Sequence, residues 1–185
     1  MKRKTGIPFV PVTLGILLAG CATGGSGTMA PLPENLKAPA DEMLALEAAA
    51  TGVQIYECAA GKDQPARFEW VFKAPEAELF DRAGKKIGKH YAGPTWEAND
   101  GSKVAGQVKA RDNGPDPGAI PWLLLTAKSN SGGGVFGRTT SIQRINTVGG
   151  TAPAEGCSQA QAGKQARVPY KATYNFYVAK SSSTY

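Results

Sequence analysis

The chain has 185 residues, of which 42% are hydrophobic, and it carries 21 Lys and Arg against 15 Asp and Glu. This length accommodates one domain with a real core. The formal charge of +6 falls to +3 without residues 1–20, because three of the basic residues lie there and 18 remain against 15 acidic ones. No Lys/Arg block with interleaved aromatic residues follows, so nucleic-acid binding is not expected.

The N-terminus has the three parts of an export signal. Residues 2–4 are Lys-Arg-Lys, and Phe9 to Ala19 form an apolar stretch that is short for a membrane span. Leu18-Ala19-Gly20-Cys21 then matches the bacterial lipoprotein box. We therefore expect cleavage before Cys21, acylation of its thiol with chains such as palmitate, and a membrane anchor formed by those chains. The protein would lie in the cell envelope, and Ala22 favours the outer membrane, facing the periplasm, in a Gram-negative cell.

The three cysteines predict one disulfide. If Cys21 is lipidated, Cys58 and Cys157 remain in an exported chain, where disulfides persist, so we expect them to pair. A metal site is not expected, since neither cysteine has a histidine near it in the sequence. The glycines of 132–137 fit a dinucleotide-binding pattern, but a β-branched stretch follows where a helix is needed, so no cofactor is expected.

Composition divides the chain into four parts. Residues 1–20 form the signal peptide, and residues 21–40, rich in Gly, Ser and Pro, are predicted to be the lipidated Cys and a flexible tether. A single domain is expected over 41–180, followed by a polar tail at 181–185. The stretch 41–51 is ambiguous, because its Ala, Leu and Glu favour helix, yet a strand ending at Gly52 is also possible.

The domain is predicted to be all-β. Turn residues such as those of 99–102 separate short stretches that alternate or that are continuously apolar. The absence of a strong long-helix pattern favours an antiparallel sandwich or barrel. The predicted strands include 53–56, 68–72, 78–80, 86–91, 104–110, 121–127 (buried on both faces), 139–147 and 168–178.

Several blocks of the chain resemble a known family. They are GVQIYEC (52–58), GKHYAGPTWEANDGS (88–102), IPWLLL (120–125), IQRINTVGGTAPAEGC (142–157) and VPYKATYNFY (168–177). The blocks are similar to domain-of-unknown-function family 3455, which occurs in bacterial lipoproteins and exported fungal proteins, and the resemblance covers roughly 41–178. It implies a shared fold and export, and it brings no established activity or catalytic residue.

The stretch from His90 to Asp100 is the main candidate site, with two interpretations. In the functional one, Glu97 and Asp100 form a carboxylate pair with His90 as proton carrier or ligand. In the structural one, Trp96 packs in the core, Asp100 helps turn a hairpin and His90 is partly exposed. Arg144 is then expected to be an internal partner, for instance of Glu97, rather than an anion receptor.

These observations lead to three functional hypotheses. The leading one is a lipid-anchored, non-enzymatic domain that acts as a binding or structural module of the envelope. The first alternative is an envelope hydrolase that uses Glu97, Asp100 and His90. The second is a carrier that holds a small apolar ligand inside a barrel. A catalytic cleft needs converging polar groups, whereas a carrier needs an apolar cavity, so the interior of the domain distinguishes them.

Overall fold

The computed structural model describes residues 30–181 of the chain. The predicted signal peptide, Cys21 and the rest of 21–29 lie outside the described residues, as does the polar tail from residue 182 onward. Within the described part, no helix is long and apolar enough to cross a membrane.

Eight antiparallel strands form one closed sheet. Each strand pairs with the next in the sequence, and the last strand pairs with the first, which gives an up-and-down barrel. The predicted all-β class is confirmed, and of the sandwich and barrel left open by the sequence, the closed barrel is observed. The strands are β1 (Glu42–Ala60), β2 (Phe68–Phe80), β3 (Lys86–Tyr91), β4 (Thr95–Ala98), β5 (Lys103–Asp112), β6 (Trp122–Ser131), β7 (Thr139–Gly149) and β8 (Gln165–Ala179).

The alternation of buried and exposed side chains along β8 shows which face of the sheet lies inside the barrel and which lies outside. Tyr170, Tyr174 and Phe176 are buried, whereas Lys171 on the opposite face is exposed. Because successive side chains of a strand point to opposite faces, residues two apart line the same side of the sheet. The strand predicted over 168–178 with a period of two is therefore confirmed, and its aromatic face forms part of the barrel core.

The ambiguous stretch 41–51 is strand from Glu42 onward, and it forms the first half of β1. Ala48 and Ala50 are almost completely buried, and they pair with Tyr174 and Ala172 of β8. Small side chains at these inward positions leave room for the aromatic ring opposite. Strand pairing and burial therefore override the helix preference of the alanines.

β6 is buried on both faces, as its continuous apolar run predicts. Leu123 and Leu125 pack with the core inside the barrel. Trp122 and Leu124 point outward, where they pack against Leu36 from the N-terminal side of β1. The outer face of β6 therefore has its own small apolar cluster, and that cluster depends on residues that precede the barrel.

The segment that covers β6, residues 30–36, differs from the flexible tether predicted over 21–40. Leu36 lies in a short 3₁₀ helix (Glu34–Leu36), is fully buried, and its carbonyl accepts a 2.7 Å hydrogen bond from Nε2 of Gln143. Ala30 and Leu32 pack in the same cluster. Residues 30–36 are thus docked on the barrel, because their apolar side chains shield an outer face that β6 would otherwise expose to water.

The two ends of the barrel differ. At one end the predicted turn at 99–102 lies beside the β2–β3 and β6–β7 connections, and buried Phe136 fills the space against Phe176, with ring centroids 4.5 Å apart. The other end, called the open end below, carries a Cys58–Cys157 disulfide with a Cα–Cα distance of 6.0 Å. The predicted pairing is confirmed, and it ties the end of β1 to the β7–β8 loop.

Candidate functional site

A cavity of about 540 Å³ enters the barrel from the open end. This volume lies within the range of about 300–1,000 Å³ that is typical of small-molecule sites. Three of the candidate residues predicted from sequence, His90, Trp96 and Arg144, line this cavity, whereas Glu97 and Asp100 do not. Further lining residues, which the sequence did not single out, include Gln54 and Tyr174.

His90 and Trp96 form a stacked pair on the cavity wall. They are cross-strand partners on β3 and β4, and their rings lie 4.3 Å apart with an angle of 10° between planes. Tyr174 meets both rings edge-on, at 5.1 and 5.3 Å. The predicted burial of Trp96 is confirmed, but the expectation of a partly exposed His90 is wrong, because its position on β3 faces the barrel interior and leaves it 2% exposed.

The environment of His90 fixes its protonation state. Nδ1 lies 2.9 Å from the carbonyl oxygen of Thr95, which can only accept, so Nδ1 carries the proton and donates it. Burial is the main reason that the pKa of His90 falls to about 3; the bond to Thr95 opposes this fall, and the charge of Arg144 adds to it. His90 is therefore a neutral imidazole at neutral pH, which does not suit the predicted role of proton carrier.

The two carboxylates of the hydrolase hypothesis do not join His90. Glu97 points to the outside of β4, where it accepts a 2.8 Å hydrogen bond from the hydroxyl of Tyr91 and pairs with Lys103 at 3.4 Å. Asp100 lies in the turn at the opposite end from the cavity mouth and accepts a 2.8 Å bond from the backbone N–H of Ser102. Within residues 30–181, no three His, Cys, Asp or Glu side chains are close enough to hold a metal ion.

Arg144 is an interior cation, and the expected pairing with Glu97 is wrong. The two side chains lie on opposite sides of the sheet, and Nε and Nη2 of Arg144 donate to the carbonyl oxygen of Pro121, at 3.0 and 2.8 Å. Among the described residues, no carboxylate forms a salt bridge with Arg144. Burial raises the pKa of Tyr174, and the neighbouring guanidinium opposes this rise.

Four of the seven buried side-chain polar atoms that lack a hydrogen-bond partner among the described residues lie inside the barrel, at the cavity or beside it. They are Nε2 of Gln54, Nε1 of Trp96 and the hydroxyl oxygens of Tyr170 and Tyr174. The two tyrosine hydroxyls interact with each other, and that of Tyr174 interacts with Arg144, but none of these contacts has good hydrogen-bond geometry. A buried donor left unpaired costs about 1–3 kcal/mol, so a group that enters the cavity and accepts hydrogen bonds would be stabilised there.

The sequence contained a partial signal for these additional residues. The period of two in β8 places Tyr170 and Tyr174 on the same face as Phe176, so their inward direction could be deduced. Gln54 gave no such signal, because a glutamine within an alternating strand is ordinarily an outward-facing residue. Its 2% exposure shows that β1 places it inside.

A comparison with protein-family models places this fold and cavity in a known family. The model described as "Protein of unknown function (DUF3455)" matches residues 39–178. The chain belongs to the DUF3455 family. The family resemblance seen in the sequence is confirmed. The DUF3455 match extends from just before β1 to Val178, one residue before the end of β8, so it includes every residue of the cavity wall named above. Searches of curated proteins and of solved structures gave no match.

Proposed function

We propose that this protein is a lipid-anchored, non-enzymatic binding protein of the cell envelope, and that its barrel cavity holds a small ligand. The observation that carries the proposal is the open cavity with unpartnered polar atoms on its wall, beside an interior arginine. A cavity and buried polar groups without protein partners both lower the stability of a fold. A bound ligand would offset these costs, because it would fill the space and supply acceptor atoms.

The cavity favours binding over hydrolysis. A hydrolase that uses His90, Glu97 and Asp100 would need these side chains around one reacting bond. Instead, only His90 reaches the cavity, and its lowered pKa makes it a weak base at neutral pH. A carrier of a purely apolar ligand also fits less well, because such a ligand would leave Gln54 and Trp96 without acceptors.

A fluorescent probe can test the binding proposal. The probe is Nile red, an uncharged dye that brightens in apolar surroundings, and the protein is residues 21–185 with Cys21→Ser, which carries no acyl chain. We expect saturable binding of one dye per chain, and we expect Val108→Trp to weaken it about tenfold or more. Val108 lies at the cavity entrance and is 52% exposed, so a large side chain there would narrow the opening.

Val148→Trp is the matched control for this experiment. Val148 is also an exposed valine near the open end, at 57% exposure, but it does not line the cavity. We expect this variant to bind Nile red as tightly as the unmodified protein does. Both variants should have the melting temperature of the unmodified protein. No saturable binding to the unmodified barrel, or an equal loss in both variants, would contradict the proposal.

The lipid anchor is proposed from the lipoprotein box at 18–21 and from the use of the cysteines. Since Cys58 and Cys157 form the disulfide, Cys21 is the one remaining cysteine in the sequence. We expect radiolabelled palmitate to enter the protein in cells, and Cys21→Ser to abolish the labelling and leave an uncleaved precursor. The variant Cys58→Ser/Cys157→Ser should still be labelled. An unmodified chain that takes up no label would refute the anchor.

A further inference from the structure

The polarity of the cavity changes from its wall to its entrance. Inside, Trp96 and Tyr174 are almost completely buried and carry unpartnered polar atoms. At the entrance, Phe72 and Val108 are apolar and about half exposed, at 50% and 52%, and the exposed basic residues Lys73 and Arg111 also line the cavity. Phe72 and Val108 can pack against the apolar body of a ligand whose polar group reaches the donors on the inner wall.

The interior charge determines which polar group fits. Arginine has five N–H donors, and two of those of Arg144 bind Pro121, so three remain. Nε2 of Gln54 and Nε1 of Trp96 are further donors without partners in the described chain. Several donors around one cation suit an anionic group with more than one acceptor oxygen, and a planar carboxylate matches the guanidinium fork.

The charges around Arg144 favour a single negative charge at the inner end of the ligand, because the other basic residues that line the cavity, Lys73 and Arg111, are exposed, and Lys73 pairs with Glu57 at 3.5 Å. Arg144 lies at the level of Tyr174 and Leu123, its cross-strand partners, neither of which is charged. The carboxylate of Glu97, which belongs to the candidate stretch, points outside the barrel and pairs with Lys89 and Lys103 there. A phosphate monoester carries about 1.5 to 2 negative charges at neutral pH, which exceeds the single positive charge of Arg144.

We propose that the cavity binds an apolar monocarboxylate head-first, with its carboxylate held by Arg144, Gln54 and Trp96 and its apolar body directed toward Phe72 and Val108. This assignment rests on the proposed function, because it names the ligand class of the same cavity. The assignment adds a preference for ligands with an anionic head group. An experiment can therefore refute this preference while ligand binding by the cavity still holds.

Displacement of Nile red by ligands of equal length tests the selectivity. Dodecanoate, dodecanol and dodecylammonium share a chain and differ in the head group. We expect dodecanoate to displace the dye from the unmodified barrel about 10- to 100-fold more effectively than dodecanol, as one charge-assisted contact implies, with dodecylammonium the weakest. Equal displacement by acid and alcohol would overturn the inference. If the dye still bound, the proposed binding function would stand.

Two arginine variants locate the anion site. Arg144→Met removes the interior charge and keeps much of the side-chain length, so it should make acid and alcohol equal competitors when each is compared with the variant's own affinity for the dye. Arg167→Met is the control, because Arg167 lies outside the barrel and pairs with Glu76 at 2.8 Å. It should keep the full preference for the acid. Retention of that preference in Arg144→Met, or its loss in Arg167→Met, would overturn the inference.

Brominated acids test the head-first orientation in a chain whose cavity arginine is unchanged. Bromine quenches the fluorescence of a nearby tryptophan, and Trp96 lies on the inner wall, whereas Trp122 packs outside the barrel. In the Trp70→Phe variant, 2-bromododecanoate should quench more strongly than 12-bromododecanoate. The reverse order would show that the tail enters first and would overturn the proposed orientation. Because this variant retains Arg144, the quenching measurement still tests the proposal if Arg144→Met does not fold.

Discussion

Trp96→Ala should lower the free energy of unfolding by about 3–5 kcal/mol, the usual cost of deleting a fully buried large aromatic side chain. Trp96 is 1% exposed, stacks on His90 and meets Phe176 edge-on at a centroid distance of 6.1 Å. It also packs closely over Gly106, where an added Cβ would lie 3.0 Å from the Trp96 ring. Few neighbours can move into the space that the ring leaves, so the cavity should persist.

Urea unfolding followed by circular dichroism measures this effect. Trp70→Ala is the matched control, because Trp70 is only half-buried and its Nε1 donates to Gly156 in an exposed contact, so its loss should cost less. His90→Ala should fall between the two variants, since the ring is smaller than that of Trp96 but is also buried. A loss of less than about 1 kcal/mol in Trp96→Ala would contradict the packing described for the cavity wall.

Removal of the disulfide by Cys58→Ala/Cys157→Ala should lower the free energy of unfolding by about 4–5 kcal/mol, which is what loop-closure entropy gives for a link of this span. The two cysteines are 99 residues apart, and the link joins β1 to the β7–β8 loop. Cys58 is 1% exposed, so the bond lies within the packed open end. A domain with an ordinary stability of about 5–15 kcal/mol would lose a large part of it.

The control for this prediction uses a reductant. Dithiothreitol should lower the stability of the unmodified protein to about that of the double alanine variant, and it should leave the stability of the variant unchanged. Urea unfolding in both conditions gives the comparison. If the variant were as stable as the oxidised protein, the disulfide would not be an important constraint on the unfolded chain.

The strands of this barrel were largely predictable, because their signals are local. The alternation over 168–178 and the continuous apolar run at 121–127 each reflect burial on one or both faces of a strand. Residues 41–51 were not predictable, since Ala48 and Ala50 favour strand only because Tyr174 and Ala172 lie opposite. Nothing in residues 41–51 themselves indicates that they pair with a strand more than 120 residues away.

The candidate site was predictable only in part, for the same reason. His90 and Trp96 lie in one recognisable stretch, and the stretch does form part of the cavity wall. The direction of Arg144 depends on the register of β7 with β6 and β8, and closure of the whole barrel sets that register. Gln54 joins the cavity through β1, and its role follows only from the assembled barrel.

The pairing of β1 with β8 has a consequence for how the chain folds. It places Glu42 opposite Ala179, so the barrel closes between the first and last strands of the domain. Contacts of such long range are formed slowly, because a large loop must close before they stabilise anything. Until β8 is available, β1 keeps an unpaired edge along most of its length, and such edges invite aggregation. The newly made chain therefore has its greatest need of protection just before its last fifteen strand residues, Gln165–Ala179, are in place.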